Sequence, residues 1–154
     1  MVLLKARGFK PEDYAQMHPG GNLGRQLLTR VTDIMRQGDQ LARMEPSDTV
    51  ASALEAMTRC RTGAVVITSK EGRLEGILTH GDFVRAYHDD RNVADHPVSD
   101  HMTRNPITIN GDKLASEAVH TFEQNRIDDI VVIDNEDRVI GLIDVQDLSR
   151  ARIF

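Results

Sequence analysis

Three short stretches hold side chains of a type that does chemistry. Residues 16–25, "QMHPGGNLGR", set His18 beside Pro19 and the pair Gly20-Gly21. A histidine is a general acid or base in type. Paired glycines let the main chain approach a partner closely or take positive φ, and a proline fixes the entry into the turn. Residues 79–82, "THGD", place a hydroxyl and a carboxylate three positions apart. That spacing makes Thr79 an N-cap and Asp82 the N3 acceptor of a capping box, where a carboxylate also suits the helix dipole. If His80 and Gly81 open the helix, their N–H groups also offer donors to a phosphate. Residues 88–101, "HDDRNVADHPVSDH", gather histidines and aspartates of metal-ligating type. Their spacing matches no familiar ligand pattern, so the stretch reads as a polar linker and no metal site is expected.

The elements that must position these groups come from a chain of 154 residues, 40% of them hydrophobic. That is one ordinary domain or two small ones with a real core. Cys60 is the single cysteine, which excludes an internal disulfide framework and fits a reducing cytoplasm. A formal charge of −5 argues against nucleic-acid binding, which needs a basic stripe. The clusters Arg59-Cys60-Arg61 and Arg150-Ala151-Arg152 read as solvated helix ends. No apolar run approaches membrane-spanning length, and "MVLLKARGFKPEDY" has neither the apolar region nor the cleavage site of a signal peptide. No membrane or nucleic-acid partner is expected, and no cofactor.

An internal repeat organises the chain. Arg61 lies over Arg126, 65 positions on, and at the same shift Val66 matches Val131, Glu71 matches Glu136, and Arg73 matches Arg138. Gly76 then matches Gly141, Asp82 matches Asp147, and Arg85 matches Arg150. The chain thus holds two copies of one unit behind a non-repeated segment. In the first unit Ser47-Asp48-Thr49 starts a helix whose apolar face is Val50, Ala53, Leu54 and Met57. "GAVVIT" and "LEGILT" then form a hairpin about the turn "SKEGR", and a second helix runs from about His80 to His88. The second unit repeats this with a helix over about 112–125, strands "DIVVID" and "VIGLID", and a last helix near Val145. Short extended pieces, "LARM" and "ITIN", precede each. Neither unit can bury a good core alone; packed sheet to sheet about a pseudo-twofold axis, the two can.

The paired units resemble a tandem cystathionine-β-synthase-type (CBS) module. "VTDIM" at 31–35 and "VSDHM" at 98–102 match the opening motif of that family, and "GILTHGD" and "GLIDVQD" match its closing motif. The stretch "HPGGNLGRQLLTRVTDIM" further resembles the junction between a sugar-isomerase domain and a CBS pair in bacterial arabinose-5-phosphate isomerases. The resemblance implies an α/β fold: a tandem CBS pair of two β-α-β-β-α units, preceded by the tail of an isomerase domain. The corresponding division is 1–28 for the tail and junction, 29–92 for the first CBS unit and 93–154 for the second. It also implies that the parent enzyme interconverts ribulose 5-phosphate and arabinose 5-phosphate for lipopolysaccharide synthesis. In that parent His18 reaches an active site; the fragment alone is expected to be inactive. Capping of a preceding helix is the other role open to His18.

For the CBS units the resemblance implies a nucleotide or nucleotide-sugar effector. The threonine of the closing motif faces phosphate, and its aspartate accepts hydrogen bonds from ribose hydroxyls, two of which one carboxylate can take at once. Thr79, His80, Gly81 and Asp82 carry this in the first unit, with Thr62, Gly63 and Ala64 bordering the base. In the second unit Asp147 keeps the ribose role, but Asp144 replaces the threonine, and Asp128 and Asp129 add like charge. Carboxylates repel phosphate most strongly in a desolvated cleft, so the second cleft is expected to be empty, or to take a cation-bridged or phosphate-poor ligand. Two further expectations concern assembly. The apolar residues Phe83, Val84, Leu148 and Ile153 predict a homodimer, within a tetramer of the parent, and residues 1–22 are expected to be only partly ordered without the isomerase domain. Two alternatives stay open: a purely structural dimerisation module, and a CBS pair from an unrelated host.

Overall fold

The computed structural model describes residues 27–153 together with Gly24; His18 and the expectation for residues 1–22 lie outside them. The opening motif forms one helical turn, α1 (Val31–Ile34), and the piece "LARM" supplies strand β1 (Arg43–Met44). Thr49 is a working N-cap: its hydroxyl accepts from the Ser52 N–H at 3.2 Å. Helix α2 then runs Val50–Cys60 and buries Val50, Ala53, Ala56 and Met57. All five residues of β2 (Ala64–Thr68) are buried, as an unbroken β-branched run demands. Gly72, at φ 84° in the turn, returns the chain as β3 (Leu74–Thr79), followed by α3 (His80–Asp89). The second unit repeats the order as β5 (Thr108–Asn110), α4 (Ala115–Asn125), β6 (Asp129–Ile133), β7 (Val139–Asp144) and α5 (Val145–Arg150). Between the units lies β4 (Thr103–Arg104).

The expected α/β pair of β-α-β-β-α units is therefore present, and its registers repeat. Ala64 faces Thr79 across β2 and β3, as Asp129 faces Asp144 across β6 and β7. β1 runs parallel to β2, and β5 parallel to β6. One sheet is ordered β1-β2-β3-β4 and the other β5-β6-β7. Each unit has its own apolar cluster. A third cluster joins them, with Ala64, Val66 and Ile77 of one sheet meeting Val131, Val139 and Leu142 of the other.

The two opening motifs are exchanged. β4, which follows "VSDHM", pairs antiparallel with β3 of the first unit, and Val98 and Met102 join the first unit's core. The segment after "VTDIM" pairs with the second unit: the Arg36 N–H donates to the Leu142 carbonyl at 2.8 Å and the Leu142 N–H to that of Arg36 at 3.0 Å. Val31 is buried in the second core. These crossing segments explain the matched glycines. A Cβ on Gly76 would stand 2.7 Å from the Thr103 carbonyl oxygen, and one on Gly141 2.7 Å from that of Arg36.

Two expectations change. The 88–101 stretch is more than a polar linker, because Val93 and Val98 are fully buried within it. Leu148 and Ile153 are also core residues of the second unit, so they offer nothing to a dimer; short α5 leans on α4 and β7 instead. Val84 and Tyr87 on α3 do remain exposed.

Gly76→Ala should lower stability by about 1–3 kcal/mol, because the added methyl meets the Thr103 carbonyl as well as the Met102 side chain, and the backbone cannot swing aside as a side chain can. Urea unfolding of the two proteins measures this; a loss under about 0.5 kcal/mol would show that β4 can give way.

Candidate functional site

The THGD segment forms the expected capping box at the head of α3. The Asp82 N–H donates to Thr79 Oγ1 at 3.2 Å, and Asp82 Oδ2 accepts from the Thr79 N–H at 2.9 Å and its hydroxyl at 3.0 Å. Asp82 Oδ1 accepts from Arg85 Nη2 at 2.7 Å and Thr103 Oγ1 at 3.3 Å. This carboxylate is only 10% exposed and fully engaged. Arg85 is 73% exposed, so exchanging it for another donor costs little. The His80 N–H does not remain free for a phosphate, because it donates to the Gly63 carbonyl at 2.9 Å and so extends the hairpin. Gly81, in the first turn, keeps the N–H that a helix start leaves without an intrahelical partner.

These residues line a cleft of about 1060 Å³ between the two units. Thr62, Gly63, Thr79, His80, Gly81 and Asp82 form one side, and Asp128, Asp129 and Asp144 the other. Arg61, Arg85 and Arg126 also line it. Arg61 and Arg126 occupy matched ends of α2 and α4 and are both left-handed, at φ 52°. Glycine would hold that conformation with less strain; the repeated arginines bring cations to the cleft's wall.

Ala64 and Asp147 are not brought to this cleft. Ala64 opens β2 inside the intersheet core. Asp147 is buried and caps α5, its Oδ2 accepting from the Asp144 N–H at 3.0 Å. The same oxygen accepts from Arg36 Nε at 2.9 Å, in a pair whose two side chains are 8% and 9% exposed. Aligning the opening motifs puts Arg36 over Thr103, the residue after each methionine. Where Asp82 meets the small Thr103, Asp147 therefore meets a guanidinium, which fills the matched approach. Arg36 thus supplies a cation of the chain's own beside Asp147. Arg36 was the residue missed from the sequence; its only signal was this one-position difference between otherwise similar motifs.

Arg36 reaches further. Its Nη1 donates to the Cys60 carbonyl at 3.0 Å and the Arg61 carbonyl at 2.8 Å, where a cation satisfies the exposed end of α2. Burial opposes its charge, but the hydrogen bond and charge of Asp147 outweigh that and hold its pKa above the ordinary value. On the opposite wall the Asp129 carboxyl is pushed up to about 7, first by burial and then by the charges of Asp144 and Asp128, with Arg36 opposing.

Elsewhere, the His96 and His101 rings stack at 5.2 Å, and His96 Nδ1 lies 2.9 Å from His101 Nε2. Among the described residues no group of three or more His, Cys, Asp or Glu side chains is placed to hold a metal ion. Nor is any described helix long and apolar enough to cross a membrane.

A pair of hairpin-and-helix units with exchanged leading segments and a cleft between them defines a tandem two-unit α/β fold. The chain belongs to the CBS domain family, which it matches over residues 31–89 and 98–153. Over all 154 residues it is 39% identical to the arabinose 5-phosphate isomerase KdsD of Pseudomonas aeruginosa, covering 47% of that protein. It is 38% identical over 99% of its length to KdsD of Escherichia coli K12, covering 46% of that protein. The chain thus spans about half the length of the curated relatives it matches. Among solved structures, the CBS domain pair of protein MJ0100, in complex with 5'-methylthioadenosine and S-adenosyl-L-methionine, shares the fold. Its TM-score is 0.70 at 24% identity, covering 79% of this chain and 94% of that one.

The raised Asp129 pKa has a signature. Below about pH 4 both folded and unfolded chains hold the proton. Between about 4 and 7 only the folded chain does, so stability falls as pH rises through that window. Asp129→Asn should flatten this decline and leave the variant more stable than wild type at pH 8, as read by thermal unfolding from pH 4 to 8. Equal slopes in the two proteins would place the carboxyl's titration elsewhere.

Proposed function

We propose that this chain is the regulatory CBS pair of an arabinose 5-phosphate isomerase, binding a nucleotide or nucleotide sugar in the cleft between its two units. The isomerase domain would be carried in cis, in the cytoplasm, with His18 as the residue reaching its active site. The observation that carries the reading is the cleft itself. Both units line it, and three arginines join the Gly81 N–H at the head of α3. That is a phosphate environment. Adenosine ligands are named with the CBS pair of MJ0100, which supports the ligand class. Asp82 takes ribose hydroxyls by exchanging them for the exposed Arg85, which is then released toward the phosphate. Coupling to catalysis requires that the ligand favour one state of the whole enzyme over another. An end product bearing a cytidine, such as CMP-Kdo, would make the module a feedback sensor.

Calorimetric titration of CMP, AMP and CMP-Kdo tests this. One equivalent per chain should bind wild type, and Asp82→Ala should weaken it roughly ten- to a hundredfold. No binding at millimolar ligand would leave the pair a structural module only.

A dimeric role has its own observation. Val84 is 63% exposed on α3, with Tyr87 beside it, so α3 presents an apolar face that we assign to a second copy of the chain. Light scattering at micromolar concentration should give twice the chain mass, falling to one chain in Val84→Glu. A wild-type mass of one chain removes the assignment.

A further inference from the structure

The histidines and aspartates of residues 88–101 take no part in the cleft. Two of the histidines nevertheless meet. Each ends a short 3-10 turn: His96 follows Val93–Asp95, and His101 follows Val98–Asp100. Their ring planes lie within 13° of parallel, and His96 Nδ1 stands 2.9 Å from His101 Nε2. On its other side, His96 Nε2 lies 3.3 Å from Asp90 Oδ2 at the end of α3. Among the described residues no other carboxylate pairs with either ring. The first turn of α2, which packs here, carries no acidic residue. The surrounding titratable groups are Glu45 and Asp48 ahead of α2, His88 and Asp89 at the end of α3, and Asp95 and Asp100 in the segment itself. The cation Arg91 lies over the Tyr87 ring instead. An ionised Asp90 can only accept, so His96 Nε2 carries a hydrogen. A neutral His96 then has its lone pair on Nδ1, which accepts from His101 Nε2–H. A proton added at His101 Nδ1 leaves this contact in place. A proton added at His96 Nδ1 sets two N–H groups against each other with no acceptor between them.

We propose that Asp90, His96 and His101 form a proton-sensitive clasp, which ties the end of α3 to the crossing segment that carries β4 and releases that segment when both rings are fully protonated. This goes beyond the proposed function and does not rest on it. The clasp is placed where a released contact has consequences. The His96 carbonyl accepts from the Val50 N–H at 2.9 Å, at the head of α2. His101 directly precedes Met102, a core residue of the first unit. Thr103 follows, pairing with Ile77 of β3 and donating to Asp82 at the edge of the cleft. The His96 side chain is 35% exposed, so protons reach the pair without unfolding. Histidine is the side chain that changes charge between about pH 5 and 8, so acid loosens β4 and the cleft edge it supports. The device is confined to one side of the molecule. In the matched opening motif Ile34 stands where His101 stands in this one, and it packs against the apolar core of the second unit. That crossing segment is fastened by apolar contact, which no proton alters.

Amide hydrogen exchange on the full chain, read by NMR at about pH 8 and about pH 5 with the intrinsic rates divided out, tests the clasp. The amides of Met102 and β4 should lose about tenfold or more of their protection at the lower pH. His101→Gln keeps a side chain that can donate or accept but takes no proton, so its protection should agree at the two pH values within about twofold. His88→Gln, outside the clasp, should show the wild-type fall. Histidine nitrogen spectra of the wild type at about pH 8 give a second, direct reading: His96 should carry its hydrogen on Nε2 and none on Nδ1. Equal wild-type protection at the two pH values overturns the clasp, as does a fall in His101→Gln as steep as the wild type's. A His96 protonated on Nδ1 and bare on Nε2 at the higher pH also overturns it, whether or not the variants fold.

Discussion

The Arg36 side chain is the contact on which the arrangement of the two units depends. Its backbone is paired with β7 of the second unit, and its guanidinium holds Asp147 of that unit while capping the end of α2 in the first. A buried ion pair of this kind adds little net stability over an apolar pair, since desolvation offsets the attraction. Losing one partner is another matter, costing about 3–5 kcal/mol through the charge left behind. The contact therefore acts mainly on specificity. It ties the first unit's α2 to the second unit's α5 in the docking that sets Thr62 and Asp129 on opposite walls of the same cleft.

Around that contact a nearly twofold structure becomes one-sided. Both closing motifs end in an aspartate that caps a helix, and both helices carry an arginine three residues later. The difference comes from the crossing segment. Thr103 is short and leaves Asp82 at the edge of an open cleft, whereas Arg36 reaches across and closes the matched approach to Asp147. Sequence duplication supplies two candidate sites. One substitution in the exchanged segment turns one of them into a structural joint, and the carboxylates that would repel a phosphate there become partners or neighbours of an arginine.

The legibility of the site divides along the same line. The capping box of Thr79 and Asp82 is local, three residues apart on one turn, so spacing alone revealed it. The N-cap at Thr49 and the hairpin turns were legible for the same reason. The His80 N–H was misread as a phosphate donor because its partner, the Gly63 carbonyl, lies 17 positions away in the neighbouring strand. Leu148 and Ile153 were misread as dimer residues because an apolar side chain on a helix looks the same whether it faces its own core or a partner. Asp147 matched Asp82 in motif but not in role, since its role is set by residue 36, 111 positions away.

The sequence by itself determined the repeat, the order of strands and helices, and the family, because these rest on periodicity, turn chemistry and motifs that act over a few residues. The glycines at 76 and 141 were likewise visible as matched positions. Only the tertiary structure decided which unit each opening motif serves, why those glycines are needed, and which of the two matched aspartates, Asp82 or Asp147, borders the cleft. The physical reason is that the exchange is made by β-bridges and buried contacts between segments tens of residues apart. Neither chain order nor local propensity records which sheet edge a short extended piece will join, and a buried guanidinium shows its partners only once the two sheets have met.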